Sequence, residues 1–250
     1  MIHSFLLIGQ SNMAGRGFLH EARKIDGSQI RILRNGRWQP FFRPVQPDRP
    51  FSGVSLAESF AEKYACEHGV AAGLIPCADG GTRIDQWKIG SLLYDNAVYC
   101  ARLALRTSDI AGVLWHQGES DCLTDPAVYE EKLSVIMDGF RKDLGLYNVP
   151  FIIGGLGDYL ADYGNGNGEM KNYPKINAAL EHYALSHPMT GFVSASGLKP
   201  NPDNLHFSAE ALYEFGLRYY SVFDRLEDKS RTFKEKPGDD EAVRGALEEL

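Results

Sequence analysis

A serine and a histidine that lie far apart in the sequence each have the surroundings that nucleophilic catalysis requires. Ser11 follows a short apolar run, within segment 8–13 (IGQSNM). His206 closes segment 203–206 (DNLH), three positions after Asp203, in a loop bracketed by prolines. A nucleophilic serine needs a base, and that base needs a carboxylate that fixes its tautomer and stabilises the imidazolium. Ser11, Asp203 and His206 are therefore a candidate catalytic triad.

Both residues also have an ordinary structural interpretation. A serine that follows a strand often only caps the next helix, and a loop histidine often only forms a hydrogen bond. Gly-x-Ser alone is a weak motif, and segment 9–13 lacks the second glycine of the Gly-x-Ser-x-Gly elbow. The pairing of His206 with a nearby aspartate is what favours catalysis over capping.

Two further segments carry groups that could stabilise an oxyanion. Gly80 and Gly81 lie in a turn at 79–82, where backbone N–H groups are not obstructed by a side chain. Gln117, in segment 115–119 (WHQGE), offers a side-chain amide of the type that stabilises a developing alkoxide. Either segment alone is more typical of an ordinary tight turn. Their presence after two neighbouring apolar runs favours the functional interpretation.

The elements that must position these groups alternate between short apolar runs and amphipathic segments. Predicted strands cover 3–8, 29–33, 70–76, 110–115, 149–154 and 190–195; predicted helices cover 54–68, 92–106, a segment from Asp125-Pro126 to about Leu144, 171–186 and 208–225. This pattern indicates a parallel sheet covered on both faces. We predict one α/β domain at 1–226, a doubly wound three-layer α/β/α structure, followed by a charged C-terminal tail at 227–250.

In a sheet of this kind, ligand sites form at the carboxyl ends of the strands. The polar segments 9–17, 77–87, 116–121 and 200–207 each follow a predicted strand. The sequence therefore predicts that the serine, the glycine turn, the glutamine and the histidine meet at one edge of the sheet.

Composition narrows the classes of function. The 250 residues carry a formal net charge of −7, which disfavours nucleic-acid binding. The four cysteines are widely spaced without a C-x-x-C pair, which disfavours a zinc or thioredoxin-type site. No apolar run approaches the ~20 residues that cross a bilayer. The N-terminus shows no signal-peptide pattern, so a cytoplasmic location is expected unless a leader has been removed.

Taken together, four segments resemble the SGNH-hydrolase superfamily, and more narrowly its branch of carbohydrate esterase family six and sialate O-acetylesterase-like proteins. They are 9–17 (GQSNMAGRG), 80–87 (GGTRIDQW), 115–121 (WHQGESD) and 203–206 (DNLH). They occur in the family's order and span most of the chain up to His206. The resemblance implies a flavodoxin-like three-layer fold and an esterase that removes acetyl groups from a carbohydrate, of the acetylxylan or sialic-acid type. It implies no metal and no organic cofactor.

The resemblance also assigns roles. Ser11 is the nucleophile, His206 the general base and acid, and Asp203 its orienting carboxylate. The implied oxyanion donors are the N–H groups of Ser11 and of Gly80 or Gly81, with the amide of Gln117. The wider superfamily carries Asp at the position of Gln10 and Asn at that of Gln117, departures that fit the carbohydrate-esterase branch. Supporting or substrate-contacting roles are expected for Gln10, Asn12, Arg83, His116 and Glu119.

Three roles are open for Glu119: it braces the site, contacts sugar hydroxyls, or shares the acid role with Asp203, and bracing is the preferred interpretation. Two alternative functions are a lipase or thioesterase of the same superfamily and a non-catalytic carbohydrate-binding protein on this fold. Five aromatic residues in or beside the loops suit sugar stacking better than an acyl groove, although each of them alone is more typical of packing: Trp38, Trp87, Trp115, Tyr159 and Tyr163.

Overall fold

The protein is built around one seven-stranded sheet. The computed structural model describes residues 1–164, 166, 168–234 and 236. The strands are β1 (Ile2–Gly9), β2 (Ile30–Arg34), β3 (Arg37–Pro40), β4 (Ala71–Pro76), β5 (Asp109–His116), β6 (Phe151–Gly154) and β7 (Thr190–Val193). Their order is β3-β2-β4-β1-β5-β6-β7. Every neighbouring pair is parallel except β2 and β3.

The described residues form six α-helices: α1 (Ser11–Ala14), α2 (Leu56–His68), α3 (Leu92–Ala104), α4 (Pro126–Leu144), α5 (Tyr173–Ser186) and α6 (Ala209–Leu226). Five of them, α2 to α6, pack on the sheet in two groups. Helix α2 packs against α6, while α4 packs against both α3 and α5. The two groups sandwich the sheet, which confirms the predicted three-layer α/β/α architecture.

Local signals in the sequence account for the helix ends. The Ser55 side chain and Glu58 form a capping box at the start of α2, and Gly69 ends that helix with a left-handed φ of 64°. Asp125 caps α4 ahead of Pro126, and the Ser208 hydroxyl accepts a hydrogen bond from Ala211 N–H at the start of α6. These ends agree with the predicted helices over 54–68, from Asp125-Pro126 and over 208–225.

The sheet differs from the prediction at one edge. Strand β3 pairs antiparallel with β2 through the turn at Asn35 and Gly36, which both have positive φ, so the sheet is not wholly parallel. No strand was predicted for segment 37–40. Its residues are all half-buried or exposed, so β3 has no buried apolar run, and its pairing depends on β2.

The carboxyl end of β1 is a topological switch point. Strand β1 lies at the centre of the sheet, between β4 on one side and β5 on the other. From β1 the chain continues to β2 on one side of the sheet, whereas from β5 it continues to β6 on the other side. The two connections therefore run in opposite directions along the sheet. Crevices at such points are the usual ligand sites of open α/β sheets, and Ser11 begins α1 immediately after this strand end.

The first part of the predicted C-terminal tail lies against the amino ends of β1 and β5. The Phe233 ring stacks on His3 with centroids 3.6 Å apart, and the Arg231 guanidinium donates to the carbonyl of Ile110 over 2.9 Å. Helix α6 ends at Leu226, and the domain boundary after this residue stays a prediction. Residues 235 and 237–250 of the tail lie outside the described residues. None of the helices within the described part of the chain has the length and apolar character that a bilayer-spanning helix needs.

Candidate active site

The turn that carries Ser11 is held tightly against the end of β5. Gly9 has a φ of +129°, and a Cβ atom at this position would lie 2.0 Å from the carbonyl oxygen of His116. The N–H of Gln10 donates to the same carbonyl over 2.8 Å. Only glycine tolerates this conformation and approach, so the turn places Ser11 at a defined position beside β5.

The structure brings Ser11, His206 and Asp203 together. The Ser11 Oγ atom lies 3.1 Å from His206 Nε2, although the two residues are 195 positions apart. The opposite ring nitrogen, His206 Nδ1, lies 2.7 Å from Asp203 Oδ2. The order hydroxyl, imidazole, carboxylate is the arrangement in which an imidazole can take the serine proton.

Asp203 is anchored by the backbone of its own loop. Its Oδ1 accepts hydrogen bonds from the N–H groups of Leu205 and His206, at 2.9 and 3.0 Å. Partial burial acts to raise the pKa of Asp203, but the backbone and ring hydrogen bonds of His206, with the Leu205 N–H, outweigh burial and lower it. Asp203 therefore stays ionised and can stabilise an imidazolium at His206.

Asn12 connects the serine turn to the histidine loop. Its Oδ1 accepts a hydrogen bond from Phe207 N–H at 3.1 Å, and its Nδ2 donates to the Leu205 carbonyl at 3.3 Å. The same Nδ2 donates to Glu119 Oε1 at 2.5 Å. Asn12 thus holds the residue on each side of His206.

Glu119 accepts a hydrogen bond from Asn12 and forms none with His206 among the described residues. Its Oε1 is 3.1 Å from His116 Nε2, and both side chains are almost fully buried. Burial acts to raise the pKa of Glu119, but the charge and hydrogen bond of His116 and the amide of Asn12 outweigh it and lower the pKa. The described hydrogen bonds of the Glu119 carboxylate go to His116 and Asn12. These contacts favour the bracing role of Glu119.

The two glycines predicted as oxyanion donors differ in their availability. The N–H of Gly80 donates to Asp48 Oδ2 over 2.9 Å. The N–H groups of Gly81 and Ser11 form no hydrogen bond with any described residue, and Gly81 is exposed with a φ of +77°. Gly81 is therefore the better candidate of the pair.

The amide of Gln117 is directed into the protein. Its Nε2 lies within hydrogen-bond distance of Gln10 Oε1 (3.1 Å), the Thr82 carbonyl (3.0 Å) and Asp121 Oδ2 (2.6 Å). The side chain is fully buried, and three acceptors compete for two hydrogens. These contacts favour a bracing role, so the direct donor role of Gln117 stays a prediction.

Gln10 has the free amide that Gln117 lacks. Its Oε1 accepts from Gln117 Nε2 and, at 3.3 Å, from the N–H of Gly118. These two donors fix the orientation of the Gln10 amide. Its Nε2 forms no hydrogen bond among the described residues, so this group remains available to a ligand.

One structural residue of the site was not predicted. Asp48 forms a buried bidentate ion pair with Arg16, at 2.9 and 2.7 Å, and also binds Gly80 N–H and the Ser52 hydroxyl. Burial acts to raise the pKa of Asp48, but its hydrogen bonds and the Arg16 charge outweigh it and lower the pKa. The ion pair joins three loops. Arg16 lies in the first matching segment, but nothing in the sequence singles out Asp48 as its partner.

The other residues predicted near the substrate are divided between rim and core. Arg83 is exposed at the rim, with Nε 3.5 Å from Asp121 Oδ1. Trp87 and Trp115 are fully buried and pack edge to face with each other, with centroids 5.6 Å apart, so neither can stack on a sugar. Tyr159 is also buried. Trp38 lies on the edge strand β3, where Nε1 donates to the Thr107 hydroxyl.

A family model described as "Carbohydrate esterase, sialic acid-specific acetylesterase" matches residues 1–225. A probable carbohydrate esterase of Arabidopsis thaliana is 31% identical over 238 residues, which cover 85% of this chain and 86% of the relative. The X-ray structure of that Arabidopsis protein covers 89% of this chain and 98% of its own, with 30% identity and a TM-score of 0.76.

A more distant solved structure supports the fold alone. It is described as a novel carbohydrate acetylesterase from Xanthomonas citri and is 19% identical to this chain, with a TM-score of 0.63. The match covers 90% of this chain and 57% of the Xanthomonas chain. The α/β/α architecture is therefore shared by proteins that differ in most of their residues.

Proposed function

Because the chain belongs to this family of carbohydrate esterases, described as sialic acid-specific acetylesterases, we propose that it removes O-acetyl groups from carbohydrates with Ser11 as its nucleophile. The observation that carries the mechanism is the continuous chain of hydrogen bonds from Ser11 Oγ through His206 to Asp203. It lies at the switch point of the sheet, where a ligand can reach it. The substrate is an acetylated carbohydrate.

The reaction passes through an acetyl-enzyme. Ser11 Oγ attacks the acetyl carbonyl carbon while His206 Nε2 takes the hydroxyl proton, and Asp203 stabilises the imidazolium. The tetrahedral intermediate collapses, the bond to the sugar oxygen breaks, and that oxygen leaves with the proton from His206. Water then attacks the acetyl-enzyme by the same route and releases acetate. Serine, imidazole and fixed donors supply each step, so the reaction requires no metal and no organic cofactor.

The oxyanion is held by three donors in this proposal: the N–H groups of Ser11 and Gly81 and the Nε2 amide of Gln10. Each is without a hydrogen-bond partner among the described residues. Gln117 positions Gln10 in this proposal. It donates a hydrogen bond to Gln10 Oε1, which leaves the Gln10 amide hydrogens facing outward. Donors oriented before the reaction need no rearrangement as charge develops on the oxygen.

Acetate release from a panel of acetylated sugars tests the proposal, with Ser11→Ala as the decisive variant. Loss of the nucleophile should lower turnover by about 10³-fold or more, because triad members act as a unit. Ser196→Ala, at an exposed serine, is the matched control and should keep wild-type turnover. Full activity in Ser11→Ala would remove Ser11 from the mechanism.

Two alternatives predict other results. A lipase or thioesterase would hydrolyse the octanoyl ester of p-nitrophenol faster than the acetyl ester, whereas an acetylesterase prefers acetyl. A non-catalytic carbohydrate-binding protein would bind acetylated oligosaccharide, release no acetate and fail to react with a serine-directed phosphonate. The intact hydrogen-bonded triad argues against this second alternative.

A further inference from the structure

A groove of about 540 Å³ opens beside His206. One wall is formed by segment 16–20, which follows the serine turn, and the other by segment 50–53. Asn201, Asp203 and His206 also line it. We refer to it as the His206 groove. Its volume lies within the roughly 300–1,000 Å³ of typical small-molecule sites, so it can take a group larger than a simple alcohol.

The two walls of the His206 groove are fixed to each other. Gly17 and Val54 form an antiparallel bridge, with hydrogen bonds of 3.2 and 2.8 Å. A Cβ atom on Gly53 would lie 2.0 Å from the carbonyl oxygen of Gly17, so the walls touch backbone to backbone. The buried Asn201 amide donates to the Arg16 carbonyl over 2.8 Å. The groove therefore exists before a ligand arrives, which lowers the cost of binding.

The proposed mechanism determines which part of the substrate lies here. The leaving sugar oxygen must come within hydrogen-bond distance of His206 Nε2, because that atom returns the proton. The candidate oxyanion donors, by contrast, follow β1 and β4 at Gln10, Ser11 and Gly81. The sugar that leaves is thus directed toward the His206 groove and the acetyl group toward the strand ends.

The groove walls expose apolar side chains. Phe51 is 68% exposed, Leu19 47% and Phe18 40%. The Phe18 ring stacks on the His20 ring with centroids 5.6 Å apart and an interplanar angle of 14°. Flat apolar surfaces of this kind match the C–H faces of a sugar ring, whereas Trp87 and Trp115, which were predicted for this purpose, are buried.

The groove offers little to a carboxylate. Arg16 is its one lining guanidinium, and it is buried in the bidentate ion pair with Asp48. Arg49, next to the second wall, is paired with Asp79 at 2.7 Å. Asp203 contributes a negative charge, and the remaining titratable groups among the lining residues are the imidazoles of His20 and His206. An acidic sugar would therefore meet Asp203 without a free guanidinium or ammonium group among the described residues that line the groove.

We propose that the His206 groove binds the sugar on the leaving side of the ester by contact with Phe18 and Phe51, and that it selects acetylated neutral oligosaccharides over acetylated sialic acids. The inference rests on the proposed function, since it deepens the specificity of the same site. It differs from the family's description, which refers to sialic acid. The reason for the difference is the charge of the groove walls.

Steady-state kinetics on two substrates tests the selectivity. The probes are an acetylated xylo-oligosaccharide and 9-O-acetyl-N-acetylneuraminic acid, with p-nitrophenyl acetate as the reference ester. The kcat/KM for the neutral oligosaccharide should exceed that for the sialic acid by about tenfold or more, which corresponds to ~1.4 kcal/mol. An equal or larger kcat/KM for the sialic acid would overturn the proposal.

Substitutions on the walls test the binding surface. Phe51→Ala and Phe18→Ala should each lower kcat/KM for the oligosaccharide by about 3- to 10-fold, mainly through KM, as loss of one aromatic contact predicts. Tyr147→Ala is the matched control, since Tyr147 is 62% exposed and does not line the groove. If the groove variants behave like Tyr147→Ala, the assignment of the binding surface is wrong.

A positive charge added to the groove wall distinguishes a failure of the proposed function from a failure of the groove assignment. Leu19→Lys adds a cation to the wall and should raise kcat/KM for the sialic acid by about 3-fold or more at low salt, with a smaller gain at high salt. Leu185→Lys, at an 81% exposed position outside the groove, should have no such effect. If the wild type releases acetate from no sugar, the proposed function fails. If it deacetylates sugars but the Leu19 and Leu185 variants do not differ, only the groove assignment fails.

Discussion

The Oδ1 atom of Asn12 accepts a hydrogen bond of 3.1 Å from the backbone N–H of Phe207, across 195 positions of the sequence. Asn12 follows the candidate nucleophile, and Phe207 follows the candidate base. The same amide donates to the carbonyl of Leu205 on the other side of His206. The distance between nucleophile and base therefore depends on a side chain that takes no part in bond making.

Asn12→Ala should lower kcat while leaving KM within about twofold, because the histidine loop loses its anchor and not its contact with substrate. A misplacement of about 1 Å can lower the rate about 10²-fold. The substitution also leaves the buried Phe207 N–H without a partner, at roughly 1–3 kcal/mol, while Glu119 Oε1 keeps its contact with His116. Kinetics and thermal unfolding measure the two effects together.

A second asparagine provides the control for Asn12. Asn177 binds the backbone of Leu156 through both amide atoms, at 2.7 and 3.0 Å, in a loop that does not carry His206. Asn177→Ala should lose stability and keep most of its kcat. If the two variants lose kcat equally, the loss at Asn12 reflects general destabilisation and not the position of His206.

Gln10→Met and Gln117→Met should have different consequences. Gln10→Met keeps the volume of the side chain but removes the free Nε2 donor, so kcat should fall by about 10²–10³. It also removes the Oε1 acceptor of Gly118 N–H, so the melting temperature should fall, but by less than in Gln117→Met. Gln117→Met leaves Asp121, Thr82 and Gln10 without a shared buried donor. It should therefore lower the melting temperature by several degrees as well as kcat. Turnover of p-nitrophenyl acetate and thermal unfolding are the two measurements.

The reverse pattern is informative. A Gln117→Met variant of normal stability with a large loss of kcat would make Gln117 the direct donor, as the family resemblance implies. Normal kcat in Gln10→Met would exclude its amide from the oxyanion site.

Asp203→Asn and Glu119→Gln should separate the carboxylate that orients His206 from the one that braces the site. Asp203 is half-exposed and contacts the imidazole, so its replacement should lower kcat by up to about 10⁴, as in other triads, with little change in stability. Glu119 is buried with His116, and weakening that pair should lower the melting temperature, at about 2–4 °C per kcal/mol for a chain of this size. A Glu119→Gln variant that is fully stable yet inactive would indicate a direct role in the acid function.

The strands and helices could be predicted because their signals are local. Buried apolar runs such as β5 and caps such as Asp125 and Ser208 are visible within a few neighbouring residues. Strand β3 could not be predicted in this way, because its residues are half-buried or exposed and form no apolar run. Its position depends on its pairing with β2.

The same distinction applies to the site. Ser11, Asp203 and His206 were identified from residue type, local spacing and resemblance, and the sheet topology then predicted that they meet. The direction of a buried amide depends on partners distant in the sequence: Gln117 is turned inward by Thr82 and Gln10. The exposure of an aromatic ring also depends on the whole fold, so Trp87 and Phe51 could not be distinguished as core and surface.

The amino end of β1 gives a prediction for stability as a function of pH. His3 is buried, with Nδ1 2.6 Å from the Tyr64 hydroxyl and its ring stacked on Phe233. Burial lowers the pKa of His3 from 6.5 to about 4, and the charges of His68 and Arg231 add to this effect. The folded protein therefore excludes a proton that the unfolded chain binds below pH 6.5. Stability rises with pH wherever the unfolded state binds more protons.

The free energy of unfolding should consequently fall by up to about 3 kcal/mol as the pH drops from 6.5 to 4. His3→Gln keeps an oxygen that can accept the Tyr64 hydroxyl proton but cannot titrate, so this component of the pH dependence should disappear. Urea unfolding at several pH values between 4 and 7.5 measures it, with His20→Gln as the control at an exposed histidine. If the free energy of unfolding depends on pH in the same way in wild type and His3→Gln, the His3 imidazole is protonated without disturbing the fold.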